Sequence, residues 1–135
     1  MGNHTILIVE DEAIIAAAES QLLKTRGYEV RTAPGGDEAI AAVRSRPGEI
    51  DLILMDINLG RGKDGAAAAR EILREGSMPI LFVSSLPEEE IAARTKGISS
   101  CGTVSKNAGD AELLAAVEAA LARRPESAQV AALRA

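Results

Sequence analysis

Four apolar runs of this chain each lead into residues able to do chemistry. Glu10-Asp11 follows Thr5–Val9, Asp56 follows 51–55, Ser84-Ser85 follows 79–83, and Lys106 follows Gly102–Ser105. Each has a plain reading by itself. An acid ahead of a helix is often a cap, a serine a loop residue, a lysine a solvated charge. Together they mean more if the four runs are strands of one parallel sheet, because function in such sheets gathers at the carboxyl ends of the strands. Three carboxylates, a hydroxyl pair and an ammonium would then share one edge. Clustered carboxylates raise one another's pKa unless a cation joins them. Mg²⁺ suits such a set, since it takes a few carboxylates and completes its shell with water and phosphate oxygens. His4 stands at the opposite end of the first run, and Cys101 is the single cysteine, so no zinc-type donor set is available.

The stretch LMDINLGRGKDG, 54–65, allows a second reading. Gly60-x-Gly62-x-x-Gly65 matches the dinucleotide-binding fingerprint. That fingerprint belongs at the end of the first strand, with an acid at the end of the second. Here it follows the third run by several residues, and 79–85 downstream contains no acid. The glycines are better read as shaping a loop into the next helix.

The elements that must position these residues alternate in type. Strand-length runs occur at Thr5–Val9, 28–32, 51–55, 79–83 and, more weakly, Gly102–Ser105. The run 28–32 alternates as a strand with one exposed face does. Helices are expected between them. The first, 12–26, carries Ile14, Ile15, Ala18 and Leu22 at helical spacing and stops at Gly27. The others span 37–46, Gly65–Glu75 with Asp64 as N-cap, 88–96 with three acids in its first turn, and 110–124. Five strands alternating with five helices predict an α/β fold with a parallel sheet covered on both faces. The chain reads as one domain over 1–124, with 125–135 a tail or the start of a linker to a further domain.

Composition narrows the function classes. A 135-residue chain with 47% hydrophobic residues can build its own core. The net charge is −5, and Tyr28 and Phe82 are the only aromatics. Direct nucleic-acid binding, which wants a basic patch or stacking platforms, is disfavoured. No apolar run approaches the length of a membrane span, and no secretory leader is visible. A cytoplasmic protein without membrane contact is expected.

At this point the sequence resembles a known family, the receiver domains of two-component response regulators. The likeness rests on ILIVEDE, RGYEVRTAPGGDEA, LILMDINLGRGKDG, PILFVSS and VSK, in that order. It implies a flavodoxin-like, doubly wound sheet of five parallel strands in the order 2-1-3-4-5, with five helices, the strand order that receivers share with flavodoxin. It further implies that Asp56 is a phosphoacceptor and that Glu10, Asp11 and Asp56 hold Mg²⁺ with the backbone carbonyl of Asn58. Ser84 would bind the phosphoryl group, and Lys106 would pair with one of its oxygens. The implied partner is a histidine kinase or histidine phosphotransfer protein, and the implied role is a signalling switch rather than an enzyme with its own substrate. A dimer through the face of the fourth helix, fifth strand and fifth helix would fit, as would membership of a larger sensor kinase or cyclase. The alternatives are a degenerate receiver used as an interaction module, and a small flavodoxin-like nucleotide binder. The sequence departs from the family in three places. The loop 56–65 is one residue longer and lacks a proline, Asn107 stands where a proline follows the lysine, and Thr103 stands where an aromatic residue is common.

Overall fold

The computed structural model describes residues 4–60, 62–100 and 102–122. Its elements alternate without exception. They are β1 (Thr5–Val9), α1 (Ala13–Thr25), β2 (Glu29–Ala33), α2 (Gly36–Ser45), β3 (Leu52–Asp56), α3 (Gly65–Glu75), β4 (Ile80–Ser84), α4 (Glu88–Arg94), β5 (Gly102–Ser105) and α5 (Asp110–Ala122). The strands form one parallel sheet in the order β2-β1-β3-β4-β5. A parallel sheet is what the alternating pattern favours, since a strand–helix–strand unit returns its second strand parallel to the first.

Successive side chains of a strand point to opposite faces, and the core divides accordingly. Leu7, Val9, Ile53, Met55 and Phe82 pack on one face with α2 and α3, through Ala39, Ile40, Ala68 and Ile72. Ile6, Ile8, Leu52, Leu54 and Val83 pack on the other with α1 and α5, through Leu23, Leu113, Leu114 and Val117. The central strands β1, β3 and β4 are buried along their whole length. This explains why they read as continuous apolar runs rather than alternating ones.

Several expected boundaries shift. Strands β2, β3 and β4 each begin and end one residue later than their apolar runs suggest. The consequence matters for the site: Asp56 and Ser84 are the last residues of strands, in register with Val83 and Ser105, rather than the first residues of loops. The alternation expected of 28–32 is absent, because β2 is an edge strand whose Val30 and Arg31 are both half-buried. Helix α2 begins and ends one residue early, at Gly36 and Ser45, and α1 ends at Thr25. Helix α4 stops at Arg94 instead of 96. Thr95 closes it by donating from both its amide and its hydroxyl to the Ile91 carbonyl, and Gly97 turns away at φ +80°. The expected end of α5 at 124 and the tail 125–135 lie outside the described residues.

The apolar stripe read into α1 is a clearer correction. Ile14 is 86% exposed and Ala18 is exposed, while Leu23, with Ala16 and Leu22 beside it, makes the core contact. In so alanine-rich a helix almost any stripe looks apolar, and only packing against β1 and β2 selects the true one.

Candidate functional site

The strand order reverses between β1 and β3, the place where sheets of this kind open a crevice at their carboxyl ends. Glu10 and Asp11 leave β1, and Asp56 ends β3. One carboxylate oxygen from each of the three lies within 4.8 Å of the others. Glu10 and Asp56 are buried, and Asp11 is exposed.

Lys106 spans the buried pair. Its Nζ lies 2.9 Å from Glu10 Oε1 and 2.9 Å from Asp56 Oδ2. The backbone on either side holds it in place: Lys106 N–H donates to the Ser84 carbonyl, and Asn107 N–H to the Ser105 hydroxyl. The substitution of Asn107 for proline therefore does not keep the lysine from the acids. Burial alone would depress the ammonium, but its hydrogen bonds to Glu10 and Asp56 outweigh that and raise it, so Lys106 stays charged. Burial also pushes Glu10 up, with Lys106 and the Glu12 amide acting against it. Asp56 Oδ1 accepts the Asn58 amide at 3.1 Å, so each oxygen of Asp56 is held by one donor.

The remaining parts sit on the rim. Ser84 is buried, and its Oγ accepts the Leu86 amide at 3.0 Å, leaving its own proton to donate elsewhere. Asn58 follows β3 into the loop with an exposed side chain. Gly65 closes that loop, donating to the Ile57 carbonyl at 2.8 Å. A Cβ there would lie 2.0 Å from the Asp56 carbonyl oxygen, so this turn requires glycine. Asp64 caps α3 through the Ala67 amide, as its position suggested. Thr103 is exposed, and with no ring in its place a groove of about 550 Å³ lies open between α4 and β5, lined by Ser84, Leu86, Ile91, Thr95 and Ser105.

All the residues singled out from the sequence, Glu10, Asp11, Asp56, Asn58, Ser84 and Lys106, stand at the carboxyl ends of β1, β3, β4 and β5. Glu19 was missed. It lies half-buried on α1, where burial and the negative charge of Glu10 push its carboxyl up to about 7. Its place three residues after Ala16 and four before Leu23 was the available signal.

Such an arrangement defines a class: a flavodoxin-like α/β domain with carboxylates and one lysine gathered at the switch point. Comparison with known proteins names the family. Residues 6–118 match the response regulator receiver domain, and the chain belongs to that family of two-component signalling domains. It is 31% identical over 120 residues to the transcriptional regulatory protein PdtaR of Mycobacterium tuberculosis, covering 87% of this chain and 57% of that protein. It is 29% identical over 106 residues to the sensor kinase CckA of Brucella abortus, covering 78% of this chain and 11% of the kinase. The chain thus spans little more than half of the one and a small part of the other. Among solved structures, it resembles the N-terminal domain of a response regulator/sensory box/GGDEF protein from Carboxydothermus hydrogenoformans. The TM-score is 0.81 at 35% identity, over 87% of this chain and 94% of that one.

Proposed function

We propose that this receiver domain takes a phosphoryl group onto Asp56 from a phosphohistidine on a histidine kinase or phosphotransfer protein, and that the product changes its surface. The observation that carries the reading is the lysine-bridged pair of Glu10 and Asp56 beside Asp11. Three hard oxygen donors without nitrogen or sulfur suit Mg²⁺, held by Asp11, Asp56 and the Asn58 carbonyl, with Glu10 close by. The ion, when bound, offsets charge on the oxygens of the transferring group.

The chain's own residues do the rest. An oxygen of Asp56 attacks the phosphorus in line, the new O–P bond forms, and the P–N bond to the donor imidazole breaks with its electron pair returning to the ring. Lys106, already 2.9 Å from Asp56 Oδ2, neutralises charge on a phosphoryl oxygen. The Ser84 hydroxyl donates its free proton to another, which draws the start of the β4–α4 connection inward. The role is that of a relay and switch, with no external substrate.

The test is intact mass after incubation with Mg²⁺ and acetyl phosphate. We expect one added phosphate in the parent and none in Asp56→Asn. Undiminished labelling of that variant would place the chemistry elsewhere.

A further inference from the structure

The glycine-rich loop after β3 bends back over the acidic crevice, and its backbone touches one of the three acids. Gly60 N–H donates to Asp11 Oδ2 at 3.0 Å. Asp11 is the exposed member of the trio, and Lys106 is engaged with Glu10 and Asp56. An exposed carboxylate next to two others would turn outward to water, away from like charge. The Gly60 amide opposes that by holding one oxygen, leaving the other for a cation.

We propose that Gly60 is a positioning residue of this crevice: its amide sets the orientation of Asp11 for Mg²⁺, and its lack of a side chain is what lets the amide come close enough. The proposal rests on the reading of Glu10, Asp11 and Asp56 as a Mg²⁺ pocket. Partners that orient a ligand are usual around metal sites, and losing one weakens metal binding by about 10–100-fold.

Two features of the loop support it. First, a Cβ on Gly60 would lie 2.8 Å from Asp11 Oδ2, a distance at which the carboxylate must move. The Gly60 backbone is outside the left-handed region, so alanine is conformationally acceptable and its effect falls on Asp11. Gly62 differs: its φ of +73° calls for glycine on conformational grounds. Second, the loop is anchored just beyond. Lys63 Nζ lies 2.7 Å from Glu71 and 4.0 Å from Asp37. Its carbonyl packs so closely on the first residue of α2 that a Cβ on Gly36 would lie 2.7 Å away. With one end fixed at Ile57–Gly65 and the other side at Lys63, Gly60 cannot retreat freely when a side chain is added.

The experiment is a Mg²⁺ titration followed by backbone amide chemical shifts on the parent, Gly60→Ala, Asp11→Ala and the double variant. We expect Gly60→Ala to weaken Mg²⁺ about tenfold with an unchanged urea midpoint, and to add nothing in the Asp11→Ala background. Lys63→Ala, which leaves Gly60 intact, should weaken Mg²⁺ less and speed amide exchange at Gly60. Parent-like affinity in Gly60→Ala, while Asp11→Ala loses binding, overturns the proposal and leaves the pocket standing. An equal further loss in the double variant overturns it too, since the effect would not pass through Asp11. Parent-like affinity in Asp11→Ala would bring down the pocket reading itself.

Discussion

At the scale of single residues, Glu19 is a half-buried acid that the site does not use. Its carboxyl is pushed up to about 7 by burial and by Glu10, from the usual 4.5. A group whose folded pKa is raised stabilises the fold fully below its unfolded value and loses that contribution as pH rises through the folded value. Glu19 therefore weakens the metal-free domain progressively between about pH 4.5 and 7. Glu10, also raised, acts in the same direction and would remain in a Glu19 variant. We expect Glu19→Gln to be more stable than the parent at pH 8, with the difference vanishing near pH 4.5. Urea midpoints in chelator at the two pH values check this, and a difference independent of pH would contradict it.

Among the elements, α4 is the one held least firmly. No residue of it is buried, and Ile91 alone among its side chains reaches the core cluster. Its far end is tied to α3 by Arg70, whose guanidinium donates to the carbonyls of Arg94 and Lys96 at 2.9 and 3.2 Å. Elements with few buried contacts open most easily. We expect amide exchange over 88–98 to be the fastest among the helices, and Arg70→Ala to speed it further while β1 and β3 keep their protection. If exchange in that segment is unaltered in the variant, the tether is not what restrains α4.

For the whole molecule, the proposed phosphorylation raises the question of how a change at Asp56 would reach the surface. Ser84 offers a short path. It ends β4, its hydroxyl holds the Leu86 amide, its carbonyl accepts the Lys106 amide, and it lines the groove beside α4. Thr103 supplies no aromatic ring to rotate, so on the proposed reading the response travels through this backbone. We expect beryllofluoride, a phosphoryl mimic, to change exchange over 85–97 in the parent. Ser84→Ala should still be phosphorylated on Asp56 by intact mass, yet show a much smaller exchange change with the mimic bound. A full response in that variant would mean that Lys106 carries the signal.

Much of this was legible in the chain itself. Apolar runs, helix stops such as Gly27 and the Asp64 cap are local signals, so the alternation of elements followed from them. The positions of Glu10, Asp56, Ser84 and Lys106 were legible as well, because each follows directly on a strand-length run and a parallel sheet places such positions on one edge. The tertiary structure decided what depends on distance across the sheet. Which stripe of α1 is buried could not be read from an alanine-rich helix, whose sides differ little in hydrophobicity, and Ile14 was misjudged for that reason. Strand ends followed from pairing register, which moved Asp56 and Ser84 into the ladder. That Lys106 bridges Glu10 and Asp56, and that Gly60 rather than a lysine holds Asp11, depends on residues far apart in sequence. Such contacts arise only when the sheet brings the ends of β1, β3 and β5 to one crevice.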